Sequence, residues 1–318
     1  RRVLFRSFNV KRPEQTYISI DQAIQYTGDN SKYSKRILSV LSFIWVSYAF
    51  LVMGIALFIG PNVTVFCYEP SIGGYRECEP QEYCRQPLKT MLSPAKTIIS
   101  EFGLVCDKAH LIPWISSIIY LSNLISSACF PYFIDKHGRR ETLILALLAA
   151  SLAITGAALI WDFKLWLLSV FLAGFFYGGI ETTARVYLSE ISGQNFRVNS
   201  TVVLSLVWAV SQILLGFLQL VVEYWRHIFL AFLAAPTFAG SLITYLLLDE
   251  SPRYLISRGL LHEAKTTLQK ITAINRRPPF QFSLLDELGE RNARYASYEP
   301  SDYHLRMPLY PRSSYLQL

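Results

Sequence analysis

The feature that most constrains this chain is the spacing of its charges. Six stretches carry no Asp, Glu, Lys or Arg: residues 37–68, 111–134, 142–161, 165–180, 199–222 and 228–248. A helix needs about 20 apolar residues to cross the hydrocarbon core of a bilayer. All but the fourth reach that length, and the fourth becomes a full span if it continues past Glu181 to Leu188. One such run could be a buried helix of a soluble protein. Six runs, separated mostly by short charged or turn-rich breaks, are too many, because a soluble core rarely holds so many helices apolar on every face. Composition agrees: 17% of residues are charged, against about 25% in a soluble domain. The expected fold is an all-α membrane protein with six transmembrane helices.

The breaks give the organisation. A polar segment, 1–36, carries eight Lys/Arg, and a six-helix bundle follows over 37–248. Its spans are expected near 38–60, 111–134, 142–160, 165–188, 200–222 and 228–248, and residues 249–318 form a polar tail. Short inner connections hold Lys136, Arg139, Arg140 and Arg197, whereas short outer turns hold only Lys164 and Arg226. The positive-inside rule then makes both ends of this segment cytoplasmic, and a plasma-membrane location is expected. The opening "RRVLFRSFNV" lacks the ordered regions of a signal peptide, and the chain is expected to be a piece of a longer one.

In this topology the long loop 61–110 faces an oxidising compartment. It holds Cys67, Cys78, Cys84 and Cys106, enough for two disulfides in any of three connectivities. Zinc is the competing reading, although no Cys-x-x-Cys is present. Cys129, inside span two, reads as a packing residue. Asn62 opens an outer Asn-Val-Thr glycosylation sequon; Asn199 opens another on the cytoplasmic side and is discounted.

Catalytic signatures are missing. There is no Gly-rich phosphate loop, His-Glu-x-x-His or nucleophile elbow. The five histidines are scattered on both sides of the membrane, so neither a metal centre nor a cofactor is expected. The net charge of +7 follows cytoplasmic segments and suits lipid headgroups rather than nucleic acid.

Ionisable groups inside spans are costly and usually face a bundle interior or water. Glu181 and Arg185 are four apart and share a helix face. They read either as a substrate or proton site, with Glu181 attracting a cation, or as a self-neutralised pair with Arg185 snorkelling. Asn123, Tyr177, Trp208, Gln212 and Gln219 are further cavity candidates, or else interhelical glue. Gly174, Gly178 and Gly179 are expected to let helices approach closely.

Motifs then bring a resemblance. "DKHGRR", with Asp135, Gly138, Arg139 and Arg140, resembles the signature between spans two and three of the major facilitator superfamily. "YLSEISGQNFR", with Glu190 and Arg197, resembles the motif after span four; "WR" precedes span six; "DESPRYL", with Glu250 and Arg253, resembles the segment after span six. The long Cys-bearing loop ending "SEFGLVC" and the segment "SIDQAIQYTGDNSKYSK" narrow the resemblance to the organic cation/anion transporters. Departures are Pro131, where the signature begins with Gly, and the ionisable pair of span four.

The resemblance implies two inverted three-helix repeats and alternating access for a small organic ion. It also implies a partner six-helix half, which this chain does not hold. A sugar or polyol porter, and a non-transporting membrane glycoprotein with the loop as an interaction domain, are the alternatives. Asp135, Arg139, Arg140 and Glu190 are expected to act as a latch on the cytoplasmic side, joined by Arg197 and Arg253, or simply to set topology. Asp135 is expected to cap a helix or pair with Arg, and Arg139 and Arg140 to bridge to carboxylates such as Glu190.

Overall fold

The computed structural model describes residues 28, 30–58, 65–85, 91–92, 97–191, 193–222 and 224–278. Asn62 and the Pro/Tyr-rich tail lie outside them.

Six helices are long and apolar enough to cross a membrane. They are α1 (Lys32–Phe58), α4 (Ile112–His137), α5 (Arg139–Leu159), α6 (Phe163–Ile191), α7 (Gln194–Val221) and α8 (Trp225–Leu247). Most run past the uncharged stretches. Thus α6 continues through Glu181 and Arg185 to Ile191, α7 starts at Gln194 rather than 200, and most of the expected turn "EYWRH" is the first turn of α8. The reason is that helical hydrogen bonds do not depend on apolar side chains: charges at the helix ends meet water or headgroups, and Glu181 and Arg185, inside the span, meet each other. Inside α8 one wide π-helical segment, Phe229–Ala234, precedes Pro236. Pro lacks an N–H and its ring crowds the carbonyl four residues back, which the wider turn accommodates.

Between α1 and α4 lies a small lobe. Strands β1 (Val65–Glu69), β2 (Gly74–Cys78) and β3 (Met91–Leu92) form an antiparallel sheet in the order β2-β1-β3, with Cys67 opposite Arg76. Two short helices, α2 (Pro80–Arg85) and α3 (Ile98–Phe102), and a 3-10 turn at Cys106–Leu111 complete it. The disulfides are Cys67–Cys78 and Cys84–Cys106, one of the three possible connectivities. Glu82 lies close to the sulfurs of Cys67 and Cys78. Both thiols are consumed in the S–S bond, so the zinc reading of these cysteines falls.

Helix α6 sits between α4 and α5, α8 packs on α5 and α1, and α1 packs on α7. Glycines explain the tightest approach. A Cβ on Gly174 would lie 2.2 Å from Ser122 Oγ, one on Gly178 2.4 Å from Asn123 Oδ1, and one on Gly179 2.1 Å from the Phe130 ring. Small residues let membrane helices meet where apolar burial gives no net drive. Pro131 leaves α4 unbroken and is exposed. Opposite faces of α4 and α7 stay bare: Leu121, Leu124, Leu206, Val210, Ile213 and Phe217 are all exposed.

After α8 the chain turns into α9 (Pro252–Ser257), where the Ser251 side chain caps the Tyr254 N–H and Pro252 takes the first turn. An amphipathic helix, α10 (Leu261–Ile274), buries Ala264, Leu268 and Ile271. Asn275 just beyond it accepts from the Tyr33 N–H of α1 at 3.1 Å.

Candidate functional site

A cavity of about 510 Å³ opens between α1, α6 and α7. Its wall comprises Trp45 and Tyr48 from α1, Glu181, Arg185, Leu188 and Ser189 from α6, and Arg197, Thr201, Leu204, Ser205 and Trp208 from α7. Glu181 lies ten residues before the end of α6, or about 15 Å along its axis. That is roughly half the thickness of a hydrocarbon core.

The charges here are organised. Arg185 donates from Nε and Nη2 to Glu181 Oε1 at 3.1 and 2.8 Å. Tyr48 Oη donates to the other oxygen, Glu181 Oε2. The Arg185 guanidinium lies over the Trp45 ring at 5.0 Å. Of the pair, Arg185 is the more open, with its side chain 55% exposed against 28% for Glu181. Rings continue the wall: Tyr48 is 5.3 Å from Trp208 and 5.5 Å from Trp45. Behind it Tyr177 stacks on Tyr48 at 6.3 Å and hydrogen-bonds Thr237 of α8.

Beneath the cavity, at the arginine-bearing end of the bundle, a second cluster gathers. Arg139 Nε reaches both oxygens of Glu190 at 3.0 Å and its Nη2 reaches Oε1 at 2.8 Å. Arg139 also pairs with Asp135 at 3.2 Å and lies 4.7 Å over the Tyr254 ring. Glu250 accepts from the backbone N–H groups of Arg139, Arg140 and Ser251. The carboxylate thereby caps the N-terminus of α5, where the helix dipole favours negative charge. Burial pushes the Glu250 carboxyl above its ordinary value, against the opposing pull of those N–H groups and of Arg139. Arg140 donates to the carbonyls of Leu248 and Tyr245, both at 2.7 Å.

The expected partners are met in part. Asp135 pairs with Arg139 but caps no helix among the described residues; Glu250 does that, because the chain returning from α8 meets the α5 N-terminus. Arg140 reaches carbonyls rather than Glu190, since it points along the end of α8. Arg197 lies on the cavity wall and donates to Ser189 O at 2.7 Å instead of joining the Arg139 cluster. Arg253 is half-buried on the first turn of α9. Of the cavity candidates, Glu181, Arg185 and Trp208 lie on the wall and Asn123, Tyr177, Gln212 and Gln219 lie off it. Tyr177 is fully buried behind Tyr48, and Asn123 abuts Gly178 at the α4–α6 contact. Sequence reasoning missed Trp45 and Tyr48. Three apart on one helix face, they were the only available signal, and aromatics in a span are usually packing.

At the opposite end, Glu101 of α3 accepts from Arg226 Nε at 2.8 Å and Trp225 Nε1 at 2.6 Å. Arg226 also donates to the carbonyls of Ala158 and Ile160. The "SEFGLVC" segment is thus clamped to the "WR" pair and to the end of α5.

Residues 35–280 match the family described as "Sugar (and other) transporter". Organic cation transporter 1 of Caenorhabditis elegans is 28% identical over 179 residues, covering 56% of this chain and 30% of that protein. Solute carrier family 22 member 12 of Rattus norvegicus is 32% identical over 181 residues, 57% and 32% of the two chains. Solute carrier family 22 member 15-like of Xenopus tropicalis is 27% identical over 259 residues, 81% and 51%. The matched parts thus span about a third to a half of these relatives. The proton:xylose symporter XylE of the major facilitator superfamily, bound to 6-bromo-6-deoxy-D-glucose, superposes with a TM-score of 0.58 over 82% of this chain and 54% of that one. At 15% identity the likeness concerns the fold.

Proposed function

Because this chain belongs to the sugar (and other) transporter family of the major facilitator superfamily, whose members are transporters rather than enzymes, we propose that it forms one half of a secondary transporter carrying a small organic ion by alternating access. The observation that carries the reading is the ionisable pair Glu181–Arg185, set among Trp45, Tyr48 and Trp208 on a cavity wall well inside a span. Holding two charges at that depth is costly. The cost is met because each is hydrogen-bonded, and a solute that engages them enters a site already ordered.

The protein is an integral multi-pass membrane protein. In the proposed arrangement the arginine-bearing end is cytoplasmic, the disulfide lobe is outside and the membrane is the plasma membrane; the count of positive charges supports that order. The bare apolar faces of α4 and α7 would receive a second six-helix half, which the greater length of the relatives accommodates. The cluster of Arg139, Glu190 and Glu250 would hold the cytoplasmic side closed in one state and open it in the other. It would do so by trading pairs of similar strength rather than by breaking pairs outright.

The test is uptake into proteoliposomes holding the full-length protein, with labelled organic cations, anions and zwitterions offered in turn. Saturable uptake of one class, cut at least about tenfold by Arg185→Ala in protein that still folds, is the expected result. Uptake of none, or uptake indifferent to both Arg185→Ala and Trp208→Ala, sinks the reading.

A further inference from the structure

Resting on the reading of this cavity as the solute site, we infer that its preferred solute is an organic anion, a carboxylate on a flat apolar body. Among the described residues of the wall Glu181 is the one carboxylate, and it is already occupied. Arg185 holds Oε1 and Tyr48 holds Oε2. A cation would have to displace a guanidinium from Glu181 and from the face of Trp45.

Arg185 is in the opposite condition. Its contacts with Glu181 use the Nε–Nη2 edge. Among the described residues the Nη1–Nη2 edge has no partner, and the side chain is 55% exposed. That edge presents two parallel N–H groups, a fork that a carboxylate can grip with two hydrogen bonds. Its plane is fixed in advance by Glu181 on one edge and Trp45 on one face, so little freedom is lost on binding.

Arg197 adds a second guanidinium to the same wall, with a carbonyl, Ser189 O, as its partner. One carboxylate against two guanidiniums leaves the described wall with an excess of one positive charge. The hydroxyls do not change this, because those of Ser189, Thr201 and Ser205 donate to carbonyls of their own helices. The apolar body would lie against Tyr48, Leu204 and Trp208.

The probes are three naphthalenes of one shape and different charge: 2-naphthoate, 2-naphthylmethyl-trimethylammonium and 2-naphthalenemethanol. Each is titrated onto the full-length protein in phosphatidylcholine nanodiscs. Naphthoate is expected to bind at least about tenfold more tightly than the cation. Arg185→Gln and Arg197→Gln are each expected to weaken naphthoate several-fold and leave the alcohol unchanged. Arg185→Lys keeps a charge beside Glu181 but loses the fork, and is expected to weaken naphthoate too. Equal or tighter binding of the cation, or naphthoate binding unmoved by all the Arg variants, overturns the proposal. If Trp208→Ala then weakens all three probes, the cavity still stands as the solute site. If Trp208→Ala weakens none, or no probe binds, that reading falls as well and takes the proposal with it. Repeating the titration with phosphatidylserine in the nanodisc separates the two sources of carboxylate. Competition by that lipid would make the fork a headgroup site and also overturn the assignment.

Discussion

Gly138 has φ of +97°, and a Cβ there would come within 2.5 Å of Glu250 Oε2. Both facts demand glycine, the first from backbone sterics and the second from the carboxylate seated on the α5 N-terminus. Gly138→Ala is expected to destabilise the protein by about 2–3 kcal/mol, read as a lowered thermal midpoint in detergent; an unchanged midpoint would contradict the cap. Glu250 itself makes a pH prediction. Its carboxyl is raised by burial, so the folded state holds that proton more tightly than the unfolded chain does. Its contribution to stability therefore falls as pH rises from the ordinary value of 4.5 toward the raised one. Thermal midpoints of wild type and Glu250→Gln, compared across that window, should shift in favour of the variant as pH rises; parallel profiles would refute it. At this scale the sequence drew attention to residues without giving their partners. "DKHGRR" and "DESP" announced themselves by motif, yet the cap belongs to Glu250 and not Asp135. That choice depends on where the chain leaving α8 comes to rest, and local spacing carries no record of it. Arg185 presents the same gap: its distance from Glu181 predicts the pair, and only the packing of α1 supplies Trp45 and Tyr48.

Helix α3 has five residues, yet it joins the disulfide lobe to the bundle through one carboxylate. Glu101 and Arg226 are nearly enclosed, with side chains 16% and 14% exposed. Removing one partner of such a pair strands the other, at a cost of about 3–5 kcal/mol. Glu101→Ala is expected to release the lobe, seen as faster hydrogen exchange over residues 97–106 with exchange in α5 and α6 unchanged. Unchanged exchange in the lobe would show that Cys84–Cys106 alone restrains it. Element identities were legible because apolar length decides a span. Element ends were less so, since a helix does not stop where its charges begin. The π-helical segment before Pro236 left no readable mark beyond the proline. The lobe's sheet was also hidden: its strands, of five, five and two residues, are too short for alternation to stand out.

For the whole molecule, orientation is the property that the fold shares out among all its connections. Single cysteines at Lys136 and at Trp161, in the full-length protein with Cys129 replaced, should label oppositely with an impermeant maleimide on intact cells, Trp161 reacting and Lys136 protected. The reverse pattern would invert the proposed topology. The six-span architecture could be read almost directly from charge spacing. The cavity could not, because its wall joins α6 and α7 to α1, which lies more than a hundred residues earlier in the chain. A different consequence follows from the connection between α4 and α5, a single residue flanked by Lys136, Arg139 and Arg140. A link of one residue leaves no slack for one span to enter the bilayer while the other waits. Threading the second span separately would drag the guanidiniums through hydrocarbon, which the membrane strongly resists. The two helices must therefore go in together as a hairpin during biogenesis, and in the proposed topology their charged bend stays on the side where the ribosome works.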